Sequence, residues 1–339
     1  MKIYLWYFKH KVIGYLCLMT LFFLLPVSIL QAQAYFFEKL GVEQGLGSSK
    51  VYSIIQDRKD LIWLGTESGV SRFDGSKFEN FSSADGMAGS GVKSLAEDSL
   101  GRIWLGHING GISIFDGRRF SKLRFDTITV EGDVSEIRQF NGKLWISTSK
   151  SGVIQTEIPS WGDTVLKGKQ YRGREGSGLV IASTCVDSKN NLYLITDDAD
   201  IKKYNPAKDI FETFRPDSLT RYFSTTFMFE DSKGNFWYGT RNGGLYKYVK
   251  SPGRMKIYDI RDGLAHQLTS FITEDYKGNI WAGSWGGGIT VFSGDKMTVY
   301  NKSNGLEAAS IHYIFEDKEK NMIIADHFTG ISIYKGDHF

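Results

Sequence analysis

Two cysteines in 339 residues cannot build a disulfide scaffold. A single apolar run approaches the length of a membrane span, Val12 to Leu30, so nothing later in the sequence carries the chain back across a bilayer. A basic excess is missing as well. The 41 Lys and Arg outnumber the 38 Asp and Glu by three, and Lys2, Lys9 and Lys11, in an N-terminal stretch without acids, supply the whole difference. The body is therefore neutral, with no cationic stripe to neutralise phosphates, which argues against a nucleic-acid partner. No stretch has the 3.6-residue period of an amphipathic helix. What the chain does have is glycine, 38 residues, and aromatic side chains, 8 Trp, 17 Tyr and 23 Phe, far above the content of a disordered chain.

Lys2, Lys9 and Lys11 precede the apolar run, and Ala32-Gln33-Ala34 supplies a small-x-small cleavage pattern after it. Residues 1–34 thus read as a secretory signal peptide, which places the product in the periplasm or otherwise outside the cytoplasm. The other reading is an uncleaved anchor, with the membrane met only through this leader. Cys17 follows Leu16 and lacks the small residue that a lipoprotein site needs. Cleavage would leave Cys185 alone, a small core residue on an apolar strand, with no intrachain disulfide possible.

Residues 35–339 repeat. Asp98 to Gly106, Asp231 to Gly239 and Asp275 to Gly283 share one frame, Asp57 to Gly65 is a fourth copy, and weaker copies begin at Asn141, Asp187 and Asp317. The aligned positions are Trp63, Trp104, Trp145, Tyr193, Trp237, Trp281 and Ile323, spaced by 41, 41, 48, 44, 44 and 42 residues. Each unit reads as four short strands: in the second, Val92 to Glu97, Ile103 to Leu105, Gly111 to Phe115 and Phe120 to Phe125. Period-two alternation with Gly-bearing turns makes the strands antiparallel. Seven such units predict an all-β fold, a seven-bladed β-propeller of four-stranded antiparallel blades. The Asp carboxylate accepts backbone N–H groups in the turn, and the Trp fills the wedge between neighbouring sheets. Tyr35 to Leu40 reads as an outermost strand without a blade of its own, while the seventh unit stops at Phe339 where its outermost strand would start. The N-terminal strand is thus expected to close the last blade, sparing an open edge. A longer protein with further domains is the competing reading of the two ends.

The pattern of Gly-Leu, a strand ending in Glu-Asp, x-x-Gly-x-Ile-Trp-x-Gly-Thr and then Gly-Gly-Leu-aromatic resembles the two-component regulator propeller repeat. Phe229 to Tyr246 and Ile54 to Val70 carry it most clearly, and the resemblance covers the whole chain after the leader. It implies a periplasmic ligand sensor of the kind found in hybrid histidine kinases, many of which respond to oligosaccharides. The sequence departs from the full-length pattern in having no second propeller, exit helix, kinase or receiver domain, so a separate sensor kinase or envelope protein enters as the expected partner.

In a propeller the loops joining strands two and three share a face with the loops that lead into each first strand. Here those loops differ from blade to blade while the opposite turns repeat, as expected of one specific face on a uniform scaffold. Candidate ligand-binding residues are Glu67, His107, Asn109, Lys150, Asp197, Asp198, Arg241, Asn242, Trp285 and His327 from the first loop set, and Arg221, Tyr222, His266 and His312 from the second. Acids, bases and amides beside Trp and Tyr suit an oligosaccharide or other small polar ligand, whose hydroxyls need donors and acceptors and whose apolar faces stack on rings. His266, His312 and His327 fall in the last two blades, but with no carboxylate or cysteine spacing to support them they are not read as a metal site, and no cofactor is expected. No Gly-x-Ser-x-Gly, His-Glu-x-x-His, phosphate loop or Gly-x-Gly-x-x-Gly occurs, so no catalytic residue is assigned. A protein-interaction platform, and behind it a propeller glycosidase or lyase, are the rival readings.

Overall fold

The computed structural model describes residues 37–173, 180–196, 200–215 and 224–336. The leader lies outside them. The described residues form seven antiparallel sheets in a ring, with first strands Val51–Gln56, Val92–Glu97, Val134–Phe140, Ile181–Val186, Thr225–Glu230, Thr269–Glu274 and Ile311–Glu316 for blades 1 to 7. Blades 1, 2, 4, 5 and 6 each run outward through four consecutive strands, and blade 3 does so with the short strand Val165–Leu166, which joins the edge of blade 2, between its third and fourth. In blade 7 the fourth strand is Phe37–Leu40, antiparallel to Gly330–Tyr334 with Phe37 opposite Tyr334 and Leu40 opposite Ile331. The ring is closed as the repeat phase requires. The fold is the seven-bladed all-β propeller.

The repeated residues have separable physical jobs. Asp98 Oδ1 accepts the backbone N–H groups of Leu100 and Arg102, holding the turn, while Oδ2 accepts the Trp104 indole N–H at 2.9 Å. The same carboxylate-to-indole bond joins Asp57 to Trp63, Asp231 to Trp237 and Asp275 to Trp281, and in blade 4 the Tyr193 hydroxyl takes the place of the indole on Asp187. The turn and the core ring are thus one unit. Each Trp then spaces two sheets. Trp237 stacks on Tyr258 of its own blade and tilts against Phe292 of the next, and Trp281 does so between Tyr300 and Tyr334.

The Glu that precedes the turn Asp serves the neighbouring blade. Glu274 accepts the Ser232 N–H at 2.6 Å, Glu316 the Tyr276 N–H at 2.9 Å, and Gln56 the Lys318 N–H at 2.8 Å, which carries the device across the closing seam. Glu230 accepts in the same way from Ser188. Blade 4 has Val186 in that place and blade 3 has Phe140. The long spacing of blade 3 is taken up by an excursion whose residues Val165–Leu166 add a short parallel strand to the edge of blade 2. Pro159 O in that excursion accepts from Arg102 Nη2 at 2.8 Å, and Arg102 forms a fully buried ion pair with Asp98. The Gly-Leu step is a one-turn 3-10 cap. Gly86 sits at φ 100° and Met87 enters the core, as do Leu46, Leu264 and Leu306 after Gly45, Gly263 and Gly305.

The glycine two places after the Trp is required for space. A Cβ on Gly106 would lie 2.2 Å from Ser94 Oγ and 2.4 Å from Val134 Cγ1 of the next blade. Gly106→Ala is expected to lower the unfolding free energy by about 2–3 kcal/mol through overpacking, read from the urea midpoint at constant m. A change within error would show that the blade 2–3 seam yields freely.

Candidate functional site

Two homologous positions in each blade set the character of one mouth of the ring. The first is the residue after the second strand, whose backbone N–H donates to the loop entering its own first strand: Glu67 to Lys50 O, Ile108 to Gly91 O, Ser149 to Asp133 O, Arg241 to Ser224 O, Trp285 to Leu268 O and His327 to Ser310 O. The second is the bulge residue of each first strand, where the register slips: Tyr52, Lys93, Ser135, Ala182, Thr226, Ser270 and His312. A bulge leaves its residue unpaired in the ladder and re-aims its side chain.

These positions bring Trp285, His312 and His327 together. His312 Nε2 and His327 Nδ1 are 2.5 Å apart. The Trp285 ring, 37% exposed, meets His312 edge-on at 5.2 Å and His327 at 5.0 Å, with Tyr52 at 5.6 Å from His312 and Phe328 at 4.5 Å from His327. Lys50 Nζ lies 5.5 Å from the Tyr52 ring and 3.1 Å from Glu67 Oε1. Asp326 fixes the two loops of blade 7: its Oδ2 accepts from Ala309 and Ser310 N–H, its Oδ1 from Phe328 and Thr329 N–H. Gly286 and Gly288 N–H donate to Ala309 O, tying the Trp285 loop to blade 7. A second polar group lies in blades 2 and 3, where Asp133 takes Lys93 Nζ at 2.7 Å and the Asn109 N–H at 3.1 Å, and feels the Lys150 charge. Burial raises the Asp133 pKa, but those partners outweigh it and the net shift is downward.

Deeper among the first strands, Phe227, Phe271 and Tyr313 form a ladder with ring separations of 4.6 and 4.4 Å. Facing them, Arg138 donates to Glu136 and to Thr184 Oγ1. Burial, and after it the Glu136 charge, raise Tyr313 to about 12.

His107 is corrected. It is fully buried, with Nδ1 3.1 Å from Gly91 O and Nε2 2.8 Å from Ser113 Oγ. It occupies the last place of the second strand, where Thr66, Thr148, Thr240 and Ser284 donate to a nearby carbonyl, so it braces the loop from beneath. Glu67, Asn109, Lys150, Arg241, Asn242 and His266 are exposed on the loops. His266 stays apart from the other histidines, its Nδ1 accepting the Leu268 N–H. Asp197, Asp198, Arg221 and Tyr222 lie outside the described residues. Tyr52, Lys93, Lys50 and Phe328 were not singled out in the sequence. Aligning the second residue of every first strand reveals the first two, because the side chain there changes from blade to blade. Among the described residues, no group of three or more His, Cys, Asp or Glu side chains is placed to hold a metal ion.

The buried histidines make a pH prediction. Burial lowers His107 to about 4. Burial, and after it His327, Lys93 and Lys50, against the opposing Asp326, lower His312 to about 4. Both are neutral when folded, and the unfolded chain takes up their protons first as pH falls. Their contribution is complete above about pH 6.5 and is lost on the way down to 4, on the order of 2 kcal/mol for each. Urea midpoints at pH 7.5, 5.5 and 4.5 should fall steadily; a flat profile would refute the assignment.

In sequence, residues 45–68 match the family model described as the two component regulator propeller. In fold, the chain is similar to the extracellular domain assigned to a hybrid two component system of B. thetaiotaomicron, with TM-score 0.71 and 20% identity over 88% of this chain and 41% of that one. A second such domain from the same organism gives 0.72 and 21% over 90% and 40%. A catalytically inactive virginiamycin B lyase from Staphylococcus aureus, with quinupristin, gives 0.67 and 15% over 88% and 98%. The chain spans about two fifths of the length of the two B. thetaiotaomicron domains, and at these identities the likeness establishes the fold. No curated protein matches the sequence. The family match covers one unit, in blade 1, and the Asp–Trp turn within it recurs in blades 2, 5 and 6, so this chain is similar to the two-component regulator propeller repeat in the unit matched and in the turn the others share.

Proposed function

We propose that this propeller is an exported ligand-binding sensor module that recognises an oligosaccharide or similar small polar ligand at the mouth formed by blades 6, 7 and 1. The observation that carries this is the Trp285 ring, more than a third exposed although its backbone is fixed on both sides, set among imidazoles and next to the Lys50–Glu67 pair. An open aromatic face gives a sugar ring a stacking surface, and the mixed donors and acceptors around it match hydroxyl groups. The aromatic ladder and the Glu136–Arg138 pair provide a floor, so a ligand would sit at the mouth and not thread the ring. The leader at residues 1–34 supports export, and the similarity to extracellular domains of two component systems supports a sensing role. Transmission to a separate kinase would need a further surface.

The test is thermal unfolding with a panel of neutral and acidic oligosaccharides, with product analysis in parallel. A saturable rise in Tm with one class, without turnover, supports the sensor. No rise with any sugar, together with co-purification of a stoichiometric envelope protein, replaces it by an interaction platform. New reducing or unsaturated ends would make the protein an enzyme.

A further inference from the structure

We propose that His312 and His327 form a binding site for a divalent transition metal of the imidazole-preferring class, with Cu(II) bound most tightly. The site needs two neutral imidazoles whose lone pairs converge, held there by something other than the metal. His312 Nε2 and His327 Nδ1 approach to 2.5 Å, a separation that admits one shared proton and neither two protons nor none. A metal ion takes the place of that proton, which moves through solvent to the other ring nitrogen of the same imidazole, so that both ligands stay neutral. Metal–nitrogen bonds of about 2.0–2.1 Å at ordinary angles put the two nitrogens roughly 3 Å apart, so the rings need to part by well under 1 Å.

The positions are built by the fold. His312 is the bulge residue of its strand, and His327 is held by the Asp326 carboxylate, which pins the backbone on either side of both loops. Trp285, Tyr52 and Phe328 pack around the rings and limit their rotation. Imidazoles ligate in their neutral form, the ordinary state of a histidine above about pH 6.5. Two protein donors leave the other coordination positions to water or to a ligand in the mouth. Imidazole pairs favour Cu(II), then Ni(II) and Zn(II), over Mg(II) and Ca(II).

Metal binding here does not depend on the sensor reading, and the metal alone tests it. The metal-stripped, purified protein is titrated with Cu(II), Ni(II), Zn(II), Ca(II) and Mg(II) by calorimetry, and the Cu(II) form is examined by electron paramagnetic resonance. The expected result is one equivalent of Cu(II) with Kd at or below about 10 µM, two imidazole nitrogens in the spectrum, and weaker Ni(II) and Zn(II). His312→Gln and His327→Gln should each weaken Cu(II) by at least about tenfold and remove one nitrogen signal. Thermal unfolding of each variant confirms that it is folded; if one is not, the spectrum of the other and of the unsubstituted protein decides. Weaker or superstoichiometric Cu(II), a spectrum without two imidazoles, or Cu(II) affinity unchanged in a folded variant would overturn the site.

Discussion

Asp98→Ala is expected to lower the unfolding free energy by about 3–5 kcal/mol, the range for breaking a buried ion pair by removing one partner. Four donors lose their acceptor at once: the backbone N–H groups of Leu100 and Arg102, Arg102 Nε at 2.8 Å and the Trp104 indole. The Arg102 side chain is buried, so water cannot take over the guanidinium, and its bond to Pro159 O compensates only in part. The same substitution at Asp74, an exposed turn carboxylate bonded to Ser76 and Lys77 N–H, should cost a small fraction of this. Urea denaturation of both variants distinguishes them. Equal losses would mean that the Asp turn is only a turn, and that its link to the core Trp carries no energy.

Trp285→Ala is expected to weaken binding of the ligand found in the oligosaccharide panel by about 30-fold or more, as for an aromatic anchor at the centre of a site. Stability should change little. The ring packs mainly on His312 and His327 and is partly open to water, whereas Trp104 and Trp237 are closed between sheets. Trp285→Phe should recover part of the affinity, because a smaller ring still offers a face. Calorimetry with the thermal midpoint alongside checks both halves. Unchanged affinity would move the site away from blades 6 and 7, and a large drop in midpoint would make Trp285 a core residue.

The ring, the blade count and the closing strand were legible because they depend on period and phase, which survive even where Tyr193 or Ile323 replaces the Trp. The excursion at Pro159 to Leu166 was not, since its pairing to blade 2 depends on a partner about 40 residues earlier and leaves only an irregular spacing. The loop face could be located, but not which of its residues look outward. His107 and His327 both follow a second-strand Gly or Ala in the same stretch, yet they differ by one place in register, and one place turns a side chain from solvent to core. Tyr52 and Lys93 were hidden for a related reason. Strict alternation makes a strand's second residue look ordinary, and only the bulge, a backbone event, gives it a separate direction.

Phe37–Leu40 pairs with Ile331 to Tyr334 across nearly the whole chain. The first described strand to be synthesised therefore waits for the last one, and closing the loop between them is the most entropically costly contact in the molecule. Until it forms, blade 7 presents a bare edge and the loops bearing His312 and His327 rest on an unfinished sheet. Closure is thus the late step of folding, and the proposed binding mouth gains its support in that same step: a chain arrested before residue 330 would be an aggregation-prone arc of six blades and the two inner strands of a seventh, with His312 and His327 left on an unfinished sheet.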